Sequence, residues 1–256
     1  MKSIVVLTSA GNAPGVTTTA LGLALAWPRP VLLVDADRTP TQAVLAGYLR
    51  GEHPGQRGFG RLLQAARERR PMAEMLDGET IELPPLLETD TPAKFLPGFP
   101  HPGVVGLFGS AWPELMAALA EWPGDVLIDA GRVGAEGLPL PLTQRADLVL
   151  MVTGTSLVAL AGLRLYLGAV REAAGETALL LVGSGRPYGR AEVQGQFAIT
   201  IAAEVPHAPA QAAVLSDGAP RPRRFANSAY VRSLRQAAGS IAGRLEATRE
   251  LIGARR

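Results

Sequence analysis

Short, unbroken apolar runs alternate along the chain with longer stretches in which apolar residues recur every three or four positions. In order these are "SIVVLT" (3–8) then "GVTTTALGLALAW" (15–27), and "PVLLVDAD" (30–37) then "TPTQAVLAGYLR" (39–50). "DVLIDAG" (125–131) follows, then "ADLVLMVT" (146–153) with "SLVALAGLRLYLGAVREA" (156–173), and "TALLLVGSG" (177–185) with "RAEVQGQF" (190–197). "ITIAAEV" (199–205) and a last helical stretch at about 227–254 complete the pattern. The strand-like runs are nearly continuous Val, Leu and Ile, so both of their faces are covered, which predicts an α/β fold with a doubly wound, mostly parallel sheet flanked by helices. Helix punctuation agrees. Pro28 and Pro30 close the first helix, and Asn227 or Ser228 can cap the last.

Between residues 51 and 124 the pattern loosens. A basic helix is expected over "FGRLLQAARERRPMAEML" (59–76), an irregular Pro-rich stretch over "ELPPLLETDTPAKFLPGFPHPG" (82–103), and a helix over "SAWPELMAALAEW" (110–122). This segment reads as an insertion within one domain spanning 1–256. The most membrane-like window, 146–170, is broken by Thr153, Gly154, Thr155 and Ser156 and contains Arg164. A strand followed by a buried helix fits it better than a span, so a soluble, cytoplasmic protein is expected.

Composition narrows the chemistry. With no cysteine there is no disulfide framework, thiolate metal site or cysteine nucleophile. His53, His101 and His207 are scattered, which offers neither a histidine metal cluster nor a Ser-His-Asp arrangement, and Trp112 and Trp122 read as helix-packing or partner-surface residues. The net charge is only +2, yet residues 219–256 carry nine arginines against Glu246 and Glu250. That tail can be read as an amphipathic helix packed through Val231, Leu234, Ala238, Ile241 and Leu245 with Leu251 or Ile252, as a DNA-backbone contact, or, less readily, as an anchor to an anionic membrane surface.

One stretch points to phosphate chemistry. "SAGNAPGVTTT" (9–19) joins the first strand to the first helix, the place where backbone N–H groups and a helix N-terminus converge on an anion. Gly11 and Gly15 suit close backbone approach, and Thr17 offers a hydroxyl to Mg²⁺. Asp35 and Asp37 follow the second strand and Asp129 ends another, so all three should face the crevice at the strands' carboxyl ends. The loop contains no lysine.

These stretches, in their order and spacing, resemble the MinD/ParA group of P-loop ATPases, and the likeness covers nearly the whole chain. Within that group the missing lysine is similar to the CpaE/TadZ branch, which helps localise Tad-type pilus machinery. The resemblance implies a nucleotide loop over Gly11, Asn12, Ala13, Pro14, Gly15, Val16, Thr17 and Thr18. It puts Val16 where the family carries its phosphate-binding lysine, Gly11 at the signature lysine that reaches across a sandwich dimer, and Asn12 and Ala13 at the two glycines between. Thr17 and Asp129 fall on the Mg²⁺ positions, and Asp37 on the carboxylate that orients the attacking water. Gly183, Ser184 and Gly185 stand where several relatives read adenine with an asparagine. Arg38 or Arg132, less readily Lys94, could supply a replacement cation.

A lost charge-assisted hydrogen bond weakens nucleotide binding by about ten- to hundredfold, whereas a lost cation on the transferring phosphoryl group costs about 10³ to 10⁵ in rate. The sequence therefore leads to a homodimeric localisation or assembly factor for a pilus, secretion, conjugation or partition system. ATP and Mg²⁺ would bind weakly, with slow or absent hydrolysis. The alternatives are an active ParA-type ATPase that binds DNA through its C-terminal arginines and a nucleotide-free scaffold.

Overall fold

The computed structural model describes residues 2–11, 15–53, 57–85 and 91–253. The chain opens with β1 (Ile4–Ser9), α1 (Val16–Leu25) and β2 (Val31–Asp35). The middle segment contributes α2 (Phe59–Arg67), α3 (Met72–Leu76), β3 (Ile81–Glu82), β4 (Ala93–Leu96), α4 (Pro102–Val105) and α5 (Trp112–Glu121). Next come β5 (Asp125–Arg132), α6 (Leu140–Arg145), β6 (Leu148–Gly154) and α7 (Leu157–Ala173). The chain continues through β7 (Thr177–Val182), α8 (Arg190–Phe197), β8 (Ile201–Val205), α9 (Pro209–Ser216) and α10 (Ala229–Gly253).

The strands form a sheet of order β3-β4-β2-β5-β1-β6-β7-β8, parallel throughout except for the short β3–β4 edge pair. Alternate residues of each strand feed two separate cores, as a doubly wound sheet requires. Val5, Leu7 and Leu33 pack with α1, α9 and α10, while Ile4, Val6 and Leu32 pack beneath α2, α3, α5 and α7. In the second core Phe59, Phe99, Phe108 and Trp112 interlock, with Phe59 stacked on Phe108 at 4.8 Å between ring centroids and edge-on to Trp112 at 5.8 Å. Trp112 is thus a packing residue. Pro102–Glu121 is long and apolar enough to cross a membrane, but Phe108, Leu115, Met116 and Leu119 within it are fully buried in this core.

Three local expectations change and a fourth, the cap of the last helix, narrows to one residue. The stretch 39–50 forms only a five-residue π-helical turn, Val44–Tyr48, bracketed by left-handed Gln42 and Arg50. It abuts the end of α9 so closely that a Cβ on Gly47 would lie 2.1 Å from the Ser216 carbonyl oxygen. The basic helix 59–76 breaks in two at left-handed Arg69 and Pro71. The Pro-rich stretch supplies a true strand, β4, whose Leu32–Lys94 and Val34–Leu96 pairings extend the sheet beyond β2. The last helix starts at Ala229, capped by Ser228, whose Oγ accepts from the Val231 amide at 3.2 Å.

Candidate functional site

β1, β2 and β5 are neighbours at the middle of the sheet, and their carboxyl ends form the floor of a crevice. The first wall is the turn into α1. Gly15 adopts φ +77°, open to glycine and disfavoured for L side chains, and starts α1 with no side-chain cap. Amides at the helix start are therefore left for another acceptor. Val16 is 3% exposed and belongs to the core beneath α1, whereas a Cβ on Gly11 would meet nothing within 4 Å. Thr17 and Thr18 are half-buried. Asn12, Ala13 and Pro14 lie outside the described residues.

The second wall is acidic. β2 closes at Asp35, two residues before Asp37, and its register places Asp35 directly beside Asp129 on β5. Asp129 Oδ1 accepts from the Gly131 amide at 3.0 Å, and Asp35 Oδ1 accepts from the Asp37 amide at 3.2 Å. Asp37 turns onto Gly131, where a Cβ would fall 2.2 Å from its Oδ1, and it also accepts from the Thr39 amide at 2.8 Å. Gly131, at φ +59°, is thus the platform on which Asp37 rests.

Burial raises the Asp35 carboxyl well above the ordinary range, reinforced by the charge of Asp129 and then Asp37, against one amide hydrogen bond. Burial also raises Asp129, although the nearby Thr17 hydroxyl and the Gly131 amide oppose the shift. Asp37 is raised by burial and pulled back by the Thr39 amide and the charges of Arg132 and Arg38.

Unpartnered atoms mark the same place. Among the described residues, Ser9 Oγ, Arg38 Nε, Asp129 Oδ2 and Thr177 Oγ1 are buried without a hydrogen-bond partner. Ser9 ends β1, Arg38 follows β2, and Asp129, which the sequence placed at a strand end, lies within β5 beside the last residue of β2. Buried polar groups are normally satisfied, so this concentration is a signature of a missing ligand. Asp129 Oδ2 and the Thr17 hydroxyl fit Mg²⁺, an oxygen-seeking ion that takes few protein ligands, and no group of three His, Cys, Asp or Glu side chains is arranged to hold a metal among the described residues.

Two of the three replacement cations, Arg38 and Lys94, are otherwise engaged. Arg38 donates to the carbonyl oxygens of Val133, at 2.8 Å, and Gly137. Lys94 pairs with Asp77 at 2.6 Å and lies 5.6 Å from the Trp122 ring centroid. Arg132 is exposed and acts on Asp37 through its charge.

No family model matches the chain, and no curated protein matches it in sequence. Solved structures do. A ParA family ATPase from Chlorobium tepidum TLS aligns with TM-score 0.72 at 14% identity, covering 93% of this chain and 97% of the other. The cell division ATPase MinD of Pyrococcus furiosus gives 0.70 at 20% identity, over 95% and 99%. The septum site-determining protein MinD of Pyrococcus horikoshii OT3, complexed with Mg-ADP, gives 0.68 at 18% identity, over 93% and 95%. The chain has the ParA/MinD fold.

Of the described site residues, the Thr17 hydroxyl lies beside Asp129 and the Asp37 carboxylate rests on Gly131, whereas Val16 is buried in the core beneath α1. Sequence reading placed Asp35 at the crevice but gave it no role, and it did not single out Ser9 or Gly131. The string "VLLVDAD" did display Asp35, but only the β2–β5 register puts it against Asp129. The loop after β7 is held from the end of β6, where Thr155 Oγ1 donates to the Gly183 carbonyl at 3.0 Å, and by its own Gly185 N–H, which donates to the Tyr188 carbonyl at 2.8 Å.

The arginine-rich tail is first a packing element. Val231, Leu234, Ala238, Ile241 and Leu245 are buried, while Leu251, expected on the same stripe, is 65% exposed. Arg244 pairs with Glu176 at 2.6 Å and Arg249 with Asp147 at 2.8 Å, which ties α10 to the β6–β7 side of the sheet. Arg223, Arg224, Arg232 and Arg235 remain exposed.

Proposed function

We propose that this ParA/MinD-fold chain is one domain, 1–256, with a degenerate nucleotide site, acting as a localisation or assembly factor through dimerisation and partner binding. The observation that carries the reading is the contrast within one crevice. Its acidic half is assembled from Asp35, Asp37 and Asp129, whereas the position of the phosphate-binding lysine is a valine turned into the core.

Residues 11–18 would cradle ATP through backbone amides, with Thr17 and Asp129 holding Mg²⁺ and Asp37 orienting water. Bound Mg²⁺ would offset phosphate charge. The Pyrococcus horikoshii relative, complexed with Mg-ADP, supports that ligand class. Without a cation on the phosphates, affinity falls and turnover is slow or absent. A cytoplasmic homodimer serving a pilus, secretion, conjugation or partition machine follows from the family resemblance.

Titration with a fluorescent ATP analogue, with and without Mg²⁺, tests the reading alongside phosphate release. Weak, Mg²⁺-dependent binding without turnover is expected. ATPase-level turnover would overturn it, and no binding at millimolar nucleotide would leave a nucleotide-free scaffold. A DNA-cycling ATPase is the second reading, favoured by exposed Arg223, Arg224, Arg232 and Arg235. It requires DNA-stimulated hydrolysis and a steep loss of DNA binding with salt.

A further inference from the structure

The helix expected to be buried, α7, is buried on one side only. Leu160, Leu163, Leu167 and Val170 face the core. On the opposite side Leu157, Val158 and Leu165 are 68%, 65% and 79% exposed, with exposed Ala161, Gly168 and Ala169 between and beyond them. A helix that is apolar on both faces is normally covered on both. Single exposed apolar side chains are ordinary, but these three share one helix face, and Leu157 and Leu165 border a groove of about 750 Å³ between α7 and α8.

The order of large and small residues on that face says what covers it. When a helix meets its own copy antiparallel about a two-fold axis, every contact occurs twice with the roles exchanged. With the axis level with Leu163, Leu157 meets Ala169, Val158 meets Gly168, and Leu165 meets Ala161. Each large exposed side chain finds a small one. A Cβ on Gly168 would meet nothing within the chain, so the space Val158 needs is free. Arg164 and Glu192 line the same groove and give each copy both a positive and a negative group.

We propose that the outer face of α7 is a self-association surface, on which α7 of a second copy packs antiparallel about a two-fold axis level with Leu163. This surface lies on a helix outside the nucleotide loop, and the pairing needs no nucleotide. The stripe from Leu157 to Ala169 runs for about 18 Å, less than a standard interface covers, so the association is weak and concentration-dependent.

Sedimentation analysis of the full chain in nucleotide-free buffer, from about 10 μM to about 1 mM, tests this. A monomer–dimer equilibrium is expected, and Leu165→Glu should shift it at least tenfold toward monomer while leaving the circular dichroism spectrum unchanged. The register has its own test, because the chain has no cysteine. Under oxidation, a mixture of Ala161→Cys and Leu165→Cys chains should form crosslinked dimers several-fold faster than a mixture of Leu157→Cys and Leu165→Cys chains. A chain monomeric throughout, a dimer indifferent to Leu165→Glu, or equal crosslinking in both mixtures would each overturn the proposal. The nucleotide titration does not depend on the outcome.

Discussion

Replacing Val16 by lysine puts back one of the two charges that the family resemblance locates in the loop. The native side chain is 3% exposed in the core under α1, and losing its burial costs about 1.5–2 kcal/mol. The lysine stem recovers part of this, because its methylenes can lie along apolar surface while the ammonium turns to the crevice. The apo variant should therefore melt a few degrees lower, at about 2–4 °C per kcal/mol for a chain of this size. Against that, a charge-assisted hydrogen bond to phosphate gains about 1.5–3 kcal/mol, equal to roughly ten- to 150-fold in affinity. Val16→Lys should thus be less stable alone and bind the fluorescent ATP analogue at least tenfold more tightly. Paired melting curves and titrations measure both quantities. A folded variant that binds no more tightly would refute the reasoning, since the loop would then not present residue 16 to a phosphate.

Three further outcomes follow from the same geometry. Because the folded-state values of Asp35 and Asp129 lie above the unfolded value near 4, the folded chain binds protons more tightly. Their contribution to stability is then full below about pH 4 and lost as pH rises through the folded values; Asp35→Asn should flatten that decline in melts taken from pH 4.5 to 8.5, and an unchanged slope would contradict it. Gly131→Ala places a methyl group against the Asp37 carboxylate and strains a left-handed residue, so urea unfolding should show a loss of about 1–3 kcal/mol. Asp125→Ala strands the Ser3 amide and Trp27 Nε1, each now 2.7 Å from a carboxylate oxygen, and leaves Arg29 with Glu246 alone; a loss of about 2–5 kcal/mol is expected in the same assay.

What could be read from the sequence was local. The strand–glycine–helix loop, "VLLVDAD" and "DVLIDAG" each announce themselves within a dozen residues, and the continuous Val, Leu and Ile runs declare a sheet covered on both faces. What stayed hidden depends on distant partners. Asp35 and Asp129 meet only because β2 pairs with β5 across the intervening middle segment. β4 is four residues long, carries Lys94 and lies between Pro92 and Pro97, so it resembles a loop until β2 is set beside it. Nothing local shows that Arg38 donates from Nη2 to the Val133 and Gly137 carbonyl groups.

That commitment joins two segments the chain keeps far apart in sequence. A single guanidinium fastens the residues after β2 to those after β5, with Asp37 seated between them on Gly131. Neither segment can be displaced alone while the clasp holds, so a visitor to the crevice is registered by both or by neither.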